Sequence, residues 1–156
     1  MKRSIIALSI LAATTTCQAS DLFVSVEHGL FTKHFVERSN GLDWNENNKL
    51  IGFELGYNDF SLQYSEFNNS YGNDSYTIGL NYNVFDFHGL VFGIGAGAVN
   101  GYTGNQNPLH INGSWGAYVA PSIAYDIELY KGLTVSPVVR LFGEAVVGTI
   151  KVTYKF

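Results

Sequence analysis

Two residues of this sequence, His34 and Ser70, are of the types that cooperate in acyl transfer: an imidazole takes the proton of a hydroxyl that attacks or accepts an acyl group. The other histidines, His28, His88 and His110, share no metal-ligand spacing with His34 or with one another, so neither a metal nor another cofactor is expected. The run Gly93-Ile94-Gly95-Ala96-Gly97 is no dinucleotide loop, because it lies inside a strand pattern and opens no helix. Its small residues leave room for bulky side chains from other strands, or for a ligand.

The elements that must position the pair are strands. Glycine and aromatic residues are abundant, proline and charge are sparse, and no stretch sustains a helical period. Period-two alternation predicts eight strands: Asp21 to Phe35, Lys49 to Tyr57, Asp59 to Phe67, Ser75 to Val84, Gly89 to Val99, Trp115 to Tyr125, Leu133 to Val139 and Val146 to Phe156. The first slips near His28-Gly29, where a bulge is expected.

One face of these strands is large and apolar, as in Ile51, Phe53, Leu55 and Tyr57. The other is mostly Gly, Ser, Thr and Asn with single charges, Glu54, Arg140 and Lys151. A soluble β-sandwich would turn such a small polar face to water. A closed transmembrane barrel inverts the assignment, with apolar residues toward lipid and small polar ones filling a narrow lumen, and it is the architecture expected here. The links Asn58-Asp59, Phe85 to His88 and Glu128 to Gly132 are tight, whereas 36–48, 68–74, 100–114 and 140–145 are longer and polar. That rhythm matches periplasmic turns and outer loops. Topology then brings His34, ending the first strand, and Ser70, just beyond the third, to the same outer rim.

The segment MKRSIIALSILAATTTCQAS reads as a cleaved secretory signal, residues 1–19, with residues 20–156 forming the barrel. Its apolar run is too short to span a bilayer. A lipoprotein anchored through Cys17 is the alternative, but Thr14, Thr15 and Thr16 replace the aliphatic residue such a signal carries. Removing Lys2 and Arg3 leaves seven basic against thirteen acidic residues, a net charge of −6, which excludes nucleic acid as the expected partner. The final strand, alternately apolar and closing on Tyr154-Lys155-Phe156, resembles the C-terminal signal of outer-membrane barrels. A monomer in the bacterial outer membrane is expected.

At these residues the sequence resembles the outer-membrane lipid A palmitoyltransferase (PagP) family of small β-barrels. TKHFVERSNGLDWNENNKLIGFELGY is similar to that family's first strand, outer loop and second strand, with Trp44-Asn45-Glu46 as its aromatic-Asn-Glu motif. SEFNNSYGNDSYTIGLNY resembles its third strand, loop and fourth strand, and FHGLVFGIGAGAVNGYTG its fifth strand. The resemblance implies transfer of an acyl chain from a phospholipid to lipid A. It assigns the family histidine to His34 and the family serine to Ser70, and puts Asn69 in place of the family aspartate, with Asp74 as the acid of a shifted match. Asn45, Glu46 and Tyr71 would contact a lipid head group. Three departures accompany it: no N-terminal amphipathic helix is expected, the proline-rich segment is reduced to Pro108 and Pro121, and Asn81 stands where the family has the glycine flooring its acyl pocket.

Two other readings stand beside this one. A non-catalytic barrel would use its Asn-, Gly-, Tyr- and Ser-rich loops for adhesion, surface masking or phage exclusion. A lipid A deacylase would want His34 and Ser70 together near an acid, for which Glu144 is available. A pore is disfavoured, because an eight-stranded lumen is just wide enough for side chains and Glu54, Arg140 and Lys151 would pair within it.

Overall fold

The computed structural model describes residues 21–38, 42–103, 106 and 109–156. The expected signal segment 1–19 and Pro108 lie outside the described residues. Ten hydrogen-bonded segments follow in order: β1 (Leu22–His34), β2 (Ile51–Tyr57), β3 (Phe60–Asn68), β4 (Asp74–Phe87), β5 (Leu90–Asn100), β6 (His110–Asn112), β7 (Trp115–Tyr125), β8 (Ile127–Tyr130), β9 (Leu133–Phe142) and β10 (Ala145–Lys155). β7 and β8 are two halves of one wall strand, broken at Asp126, and both pair with β9. β6 is a short strand in the loop before β7. Eight antiparallel walls therefore close on themselves, β10 pairing with β1 and β7 with β9.

The polar face is inside. Gly52, Glu54 and Gly56 of β2 are buried while Ile51, Phe53, Leu55 and Tyr57 are exposed, and the same alternation runs through β3 and β4. Among the described residues thirty-seven large apolar side chains are exposed and only nine apolar residues are buried. Each aliphatic or aromatic group left in water forfeits about 1.5–3 kcal/mol, so only a hydrocarbon solvent makes this arrangement stable. Aromatic pairs such as Phe60 with Tyr82 and Tyr76 with Trp115 stand toward the two edges of the apolar belt.

The bulge expected near His28-Gly29 falls between Gly29 and Phe31. Two of the expected links are shorter than the sequence suggested. β4 continues through Phe87, leaving His88-Gly89 as a two-residue turn with positive φ at both positions (52° and 82°), and β9 continues to Phe142, leaving Gly143-Glu144. Residues expected in the 140–145 loop, Arg140 among them, are thus within the wall. Residues 128–130, expected in a link, extend the β7 wall together with Ile127 instead.

Across the middle of the lumen runs a polar plug. Glu27, fully buried, pairs with Arg140 at 3.1 Å and accepts hydrogen bonds from Gln63 and Thr149. Glu54 pairs with Lys151 at 3.7 Å and accepts from Asn81 at 2.9 Å. Lys151 and Glu54 thus pair as expected, whereas Arg140 turns to Glu27. Asn81 fits over Gly95, where a side chain would collide with its amide oxygen, so the glycine run makes room for a neighbouring side chain. The plug is a floor: whatever binds from the outer end stops above it.

Candidate functional site at the outer rim

Leu22, Phe156 and the tight turns at Asn58, His88 and Lys131 share one end of the barrel; His34, Ser70 and the described parts of the loops after β1, β3 and β5 share the other. His34 ends β1. Lys33 beside it points outward and is 3.0 Å from Glu46, so the apolar belt has ended and His34 lies in the rim outside the spanning segment. His34 Nε2 and Ser70 Oγ are 2.7 Å apart. In the neutral tautomer with its proton on Nδ1, the imidazole accepts the Ser70 proton at Nε2. Burial is the largest influence on His34 and lowers its pKa below the ordinary histidine value; Glu46 and Glu144 pull it back upward, and Lys33 lowers it.

Among the described residues no carboxylate orients this imidazole. Nδ1 is buried and has no hydrogen-bond partner among them. The ring is held by stacking: Trp44 lies parallel to it at 4.7 Å, Tyr71 meets Trp44 edge-on at 5.4 Å, and the Arg38 guanidinium sits over both indole and phenol at 5.4 and 4.8 Å. Trp44 Nε1 donates to the Val36 carbonyl at 2.7 Å, fixing the indole plane.

Ser70 is held through its backbone. Asn45 donates its amide N–H to the Ser70 carbonyl at 3.0 Å and its side-chain N–H to the Asn69 carbonyl at 2.9 Å. Asn45 therefore ties two loops together, and Glu46 is occupied by Lys33 and by the His34 backbone N–H. The Lys33 hydrogen bond holds the Glu46 carboxyl below its usual value.

Asn69 and Asp74 do not orient the dyad. The Asn69 side chain donates to Ser75 Oγ (3.0 Å) and the Gly101 carbonyl (2.8 Å) and accepts from the backbone N–H groups of Tyr71 (2.9 Å) and Asn73 (3.1 Å). Its lone pairs are spent on the 69–73 turn and its donors on Ser75 and Gly101, which leaves none for His34. Asp74 opens β4 and accepts from Asn68 at 2.7 Å. The other histidines stand elsewhere: His28 faces outward in β1, His88 is in a turn, and His110 Nε2 donates to the Gly113 carbonyl at 3.0 Å.

Tyr102 was not singled out by the sequence. Its phenol hydrogen-bonds with Ser70, and burial pushes its pKa up to about 12. It follows Gly101, whose positive φ and tight approach to Ser75 exclude any side chain, so β5 turns the tyrosine onto the serine.

The rim opens sideways. β7 pairs with β5 along its whole length, but meets β9 only at Ser122, Ile123 and Ala124. Above these, β6 and Leu109 cover β7 at Trp115 to Ala117, so residues 118–121, about 13 Å of strand, have no β9 partner. Pro121, which brings no N–H to the wall, stands directly above the first paired residue. A cavity of about 340 Å³ occupies this gap, lined by Ala117, Tyr118 and Val119 on one side, Phe142, Gly143 and Glu144 on the other, and His34, Ser70, Trp44, Tyr71 and Tyr102 at its inner end. A second space of about 50 Å³ continues downward past Thr77 and Gln63 to Arg140 of the plug.

Among solved structures the chain is similar to the N-terminal β-barrel domain of Pseudomonas aeruginosa OprF (16% identity over 89% of this chain and 100% of that one, TM-score 0.48) and to Neisserial surface protein A (14%, 89% and 99%, TM-score 0.49). The outer-membrane protein Ail of Yersinia pestis also matches, at 11% identity over 88% of this chain and 99% of that one, TM-score 0.48. No protein-family model and no curated protein matches. The expected membership of the lipid A palmitoyltransferase family is thus overturned: no family model and no curated protein supports it, and the Asn69 geometry departs from the role that the resemblance assigned to it. At these identities the matches say nothing about activity. The barrel itself rests on this chain's own strand pairing.

Proposed function

We propose that this protein is an outer-membrane enzyme acting on acyl esters of outer-leaflet lipids, with Ser70 as nucleophile and His34 as general base. The observation that carries the reading is the 2.7 Å contact between His34 Nε2 and Ser70 Oγ at the inner end of a cleft that opens through the barrel wall. A hydrogen-bonded imidazole and hydroxyl form a nucleophile pair. The sideways opening suits a substrate that stays in the bilayer, and unpaired wall backbone is tolerated at membrane depth only where it lines such a cavity.

In this mechanism Ser70 Oγ bonds to the ester carbonyl carbon while its proton passes to His34 Nε2. The C–O bond to the leaving alcohol breaks and that alcohol takes the proton from Nε2, leaving an acyl-Ser70 ester. A second hydroxyl then repeats the sequence in reverse, His34 taking its proton. Where that hydroxyl belongs to lipid A the reaction is acyl transfer, and where it belongs to water it is deacylation. Asn45 holds the Ser70 backbone, and Trp44 takes the orienting role that a carboxylate plays in serine triads.

The test is a mass-spectrometric lipid A and phospholipid profile from cells carrying the protein, His34→Ala or Ser70→Ala, each shown to be folded in the membrane. The expected result is a mass change of one acyl chain with the unsubstituted protein only; a gain identifies transfer and a loss deacylation. An unchanged profile with the folded protein would overturn the reading in favour of a barrel that binds through its loops.

A further inference from the structure

We infer that Tyr102 is a third catalytic group of this site, donating its phenolic proton in a hydrogen bond to the carbonyl oxygen that becomes an oxyanion. The inference rests on the proposed acyl-ester chemistry and names the role it leaves unassigned.

A nucleophile and a base do not suffice for acyl transfer. As Ser70 Oγ adds to the carbonyl, the π pair moves onto oxygen, and a fixed donor at that oxygen is commonly the largest single contribution to rate. Backbone N–H groups at and beside Ser70 would be the usual source, but that of Ser70 is engaged by the Tyr102 phenol oxygen and those of Tyr71, Gly72 and Asn73 are all spent on Asn69. Tyr102 remains. Its hydroxyl already interacts with Ser70, and its ring lines both the wall cleft and the space below it, so it stands where the two meet.

The ring is rigidly placed. It packs on the cluster of Val99, Tyr118 and Ala120 and meets Tyr71 edge-on at 6.2 Å. Its backbone follows Gly101, whose carbonyl is bound by Asn69, the residue preceding the nucleophile. Loop 69–73 and the end of β5 are therefore a single assembly, and Ser70 and Tyr102 keep a fixed relation without reorganisation during the reaction. The Ser70 backbone N–H and the Ser70 side chain both hydrogen-bond the Tyr102 phenol oxygen, while Ser70 Oγ meets His34 Nε2 at 2.7 Å, so the phenol accepts at Ser70 and its own O–H is a donor. When an ester enters beside Ser70, the Tyr102 O–H donates a hydrogen bond to its carbonyl oxygen, which strengthens as charge develops there and relaxes as the intermediate collapses. No proton leaves the phenol, so the balance of the reaction is unchanged.

The decisive substitution is Tyr102→Phe, which keeps the ring and its packing and removes only the donor. With the full chain folded in lipid vesicles, the rate of Ser70 acylation is measured with a long-chain p-nitrophenyl ester and with the matching thionoester, whose sulfur is a poor hydrogen-bond acceptor. The unsubstituted protein should prefer the oxygen ester strongly. Tyr102→Phe should lower the oxygen-ester rate by about 10²- to 10³-fold, leave KM unchanged and abolish most of the preference over the thionoester, a signature that a merely structural tyrosine would not move. An unchanged preference, with Ser70 still acylated, would overturn the assignment of Tyr102 alone. Absence of Ser70 acylation in the unsubstituted protein would overturn the acyl-ester reading, and the assignment of Tyr102 with it.

Discussion

The barrel below Arg140 and the rim above it are built on opposite terms. In the lower half the walls are paired around the circumference, and the buried charges Glu27, Arg140, Glu54 and Lys151 neutralise one another. At the rim a seam in the wall stands open, a buried imidazole nitrogen has no partner among the described residues, and aromatic faces do the holding. A hydrocarbon solvent penalises unpaired backbone and charge severely, so the lower half can leave nothing open. The rim lies at the interface, where water and head groups can serve open polar groups. Stability is concentrated in one region and reactivity in the other, and substitutions should separate the two.

The largest effect belongs to the plug. Glu27→Leu strands Arg140 in the lumen and should lower unfolding stability by about 3–5 kcal/mol in urea titrations of vesicle-folded protein, while Glu27→Leu with Arg140→Met should recover most of that loss. Next comes Asn69→Ala, which frees four hydrogen bonds in the turn carrying Ser70. It should cost about 1–3 kcal/mol and abolish acyl products. Asp74→Asn, at the residue that a shifted match would make the acid, should change stability by less than about 0.5 kcal/mol and leave the products as they are.

A substitution that fills the wall cleft should touch chemistry without stability. Ala117→Trp is expected to reduce turnover of bilayer lipid by about tenfold or more, in the range that a blocked apolar pocket produces, while a short water-soluble ester is processed as before. Equal loss on both substrates would mean that the lateral cleft is not the lipid's route.

The smallest effect is a pH shift. Burial lowers the His34 pKa, so the neutral base persists at neutral pH, and activity should fall only as pH drops through a value below the ordinary 6.5. The linkage has the same sign: the unfolded chain binds the proton more readily, so this histidine costs stability as pH falls below its unfolded pKa. Glu46→Gln removes a neighbour that raises the pKa and should move the acidic limb further down.

The two regions were also unequally legible in the sequence. Alternation such as Ile51-Gly52-Phe53-Glu54-Leu55 announced both faces of the lower barrel, because a strand period is local. His34 and Ser70 could be brought to one rim by counting strands. What they need around them could not be read. Glu27 and Arg140 pair across 113 residues, and Tyr102 reaches Ser70 only through the Gly101 turn and Asn69. No local pattern encodes either. Blocks of local likeness suggested a family and gave Asn69 an orienting role; its own turn, Ser75 and Gly101 use every hydrogen-bonding group of that side chain. Asn45, read as a head-group contact, ties two loops together for the same reason: short polar side chains in loops satisfy nearby backbone first.

The most direct measurement is to incubate the vesicle-folded protein with outer-membrane lipid, quench in acid, digest, and weigh the peptide carrying Ser70. That peptide should be heavier by one acyl group in the unsubstituted protein and unmodified in His34→Ala. A folded, lipid-exposed protein whose Ser70 peptide never carries an acyl group would contradict the reading of the rim as a nucleophilic site.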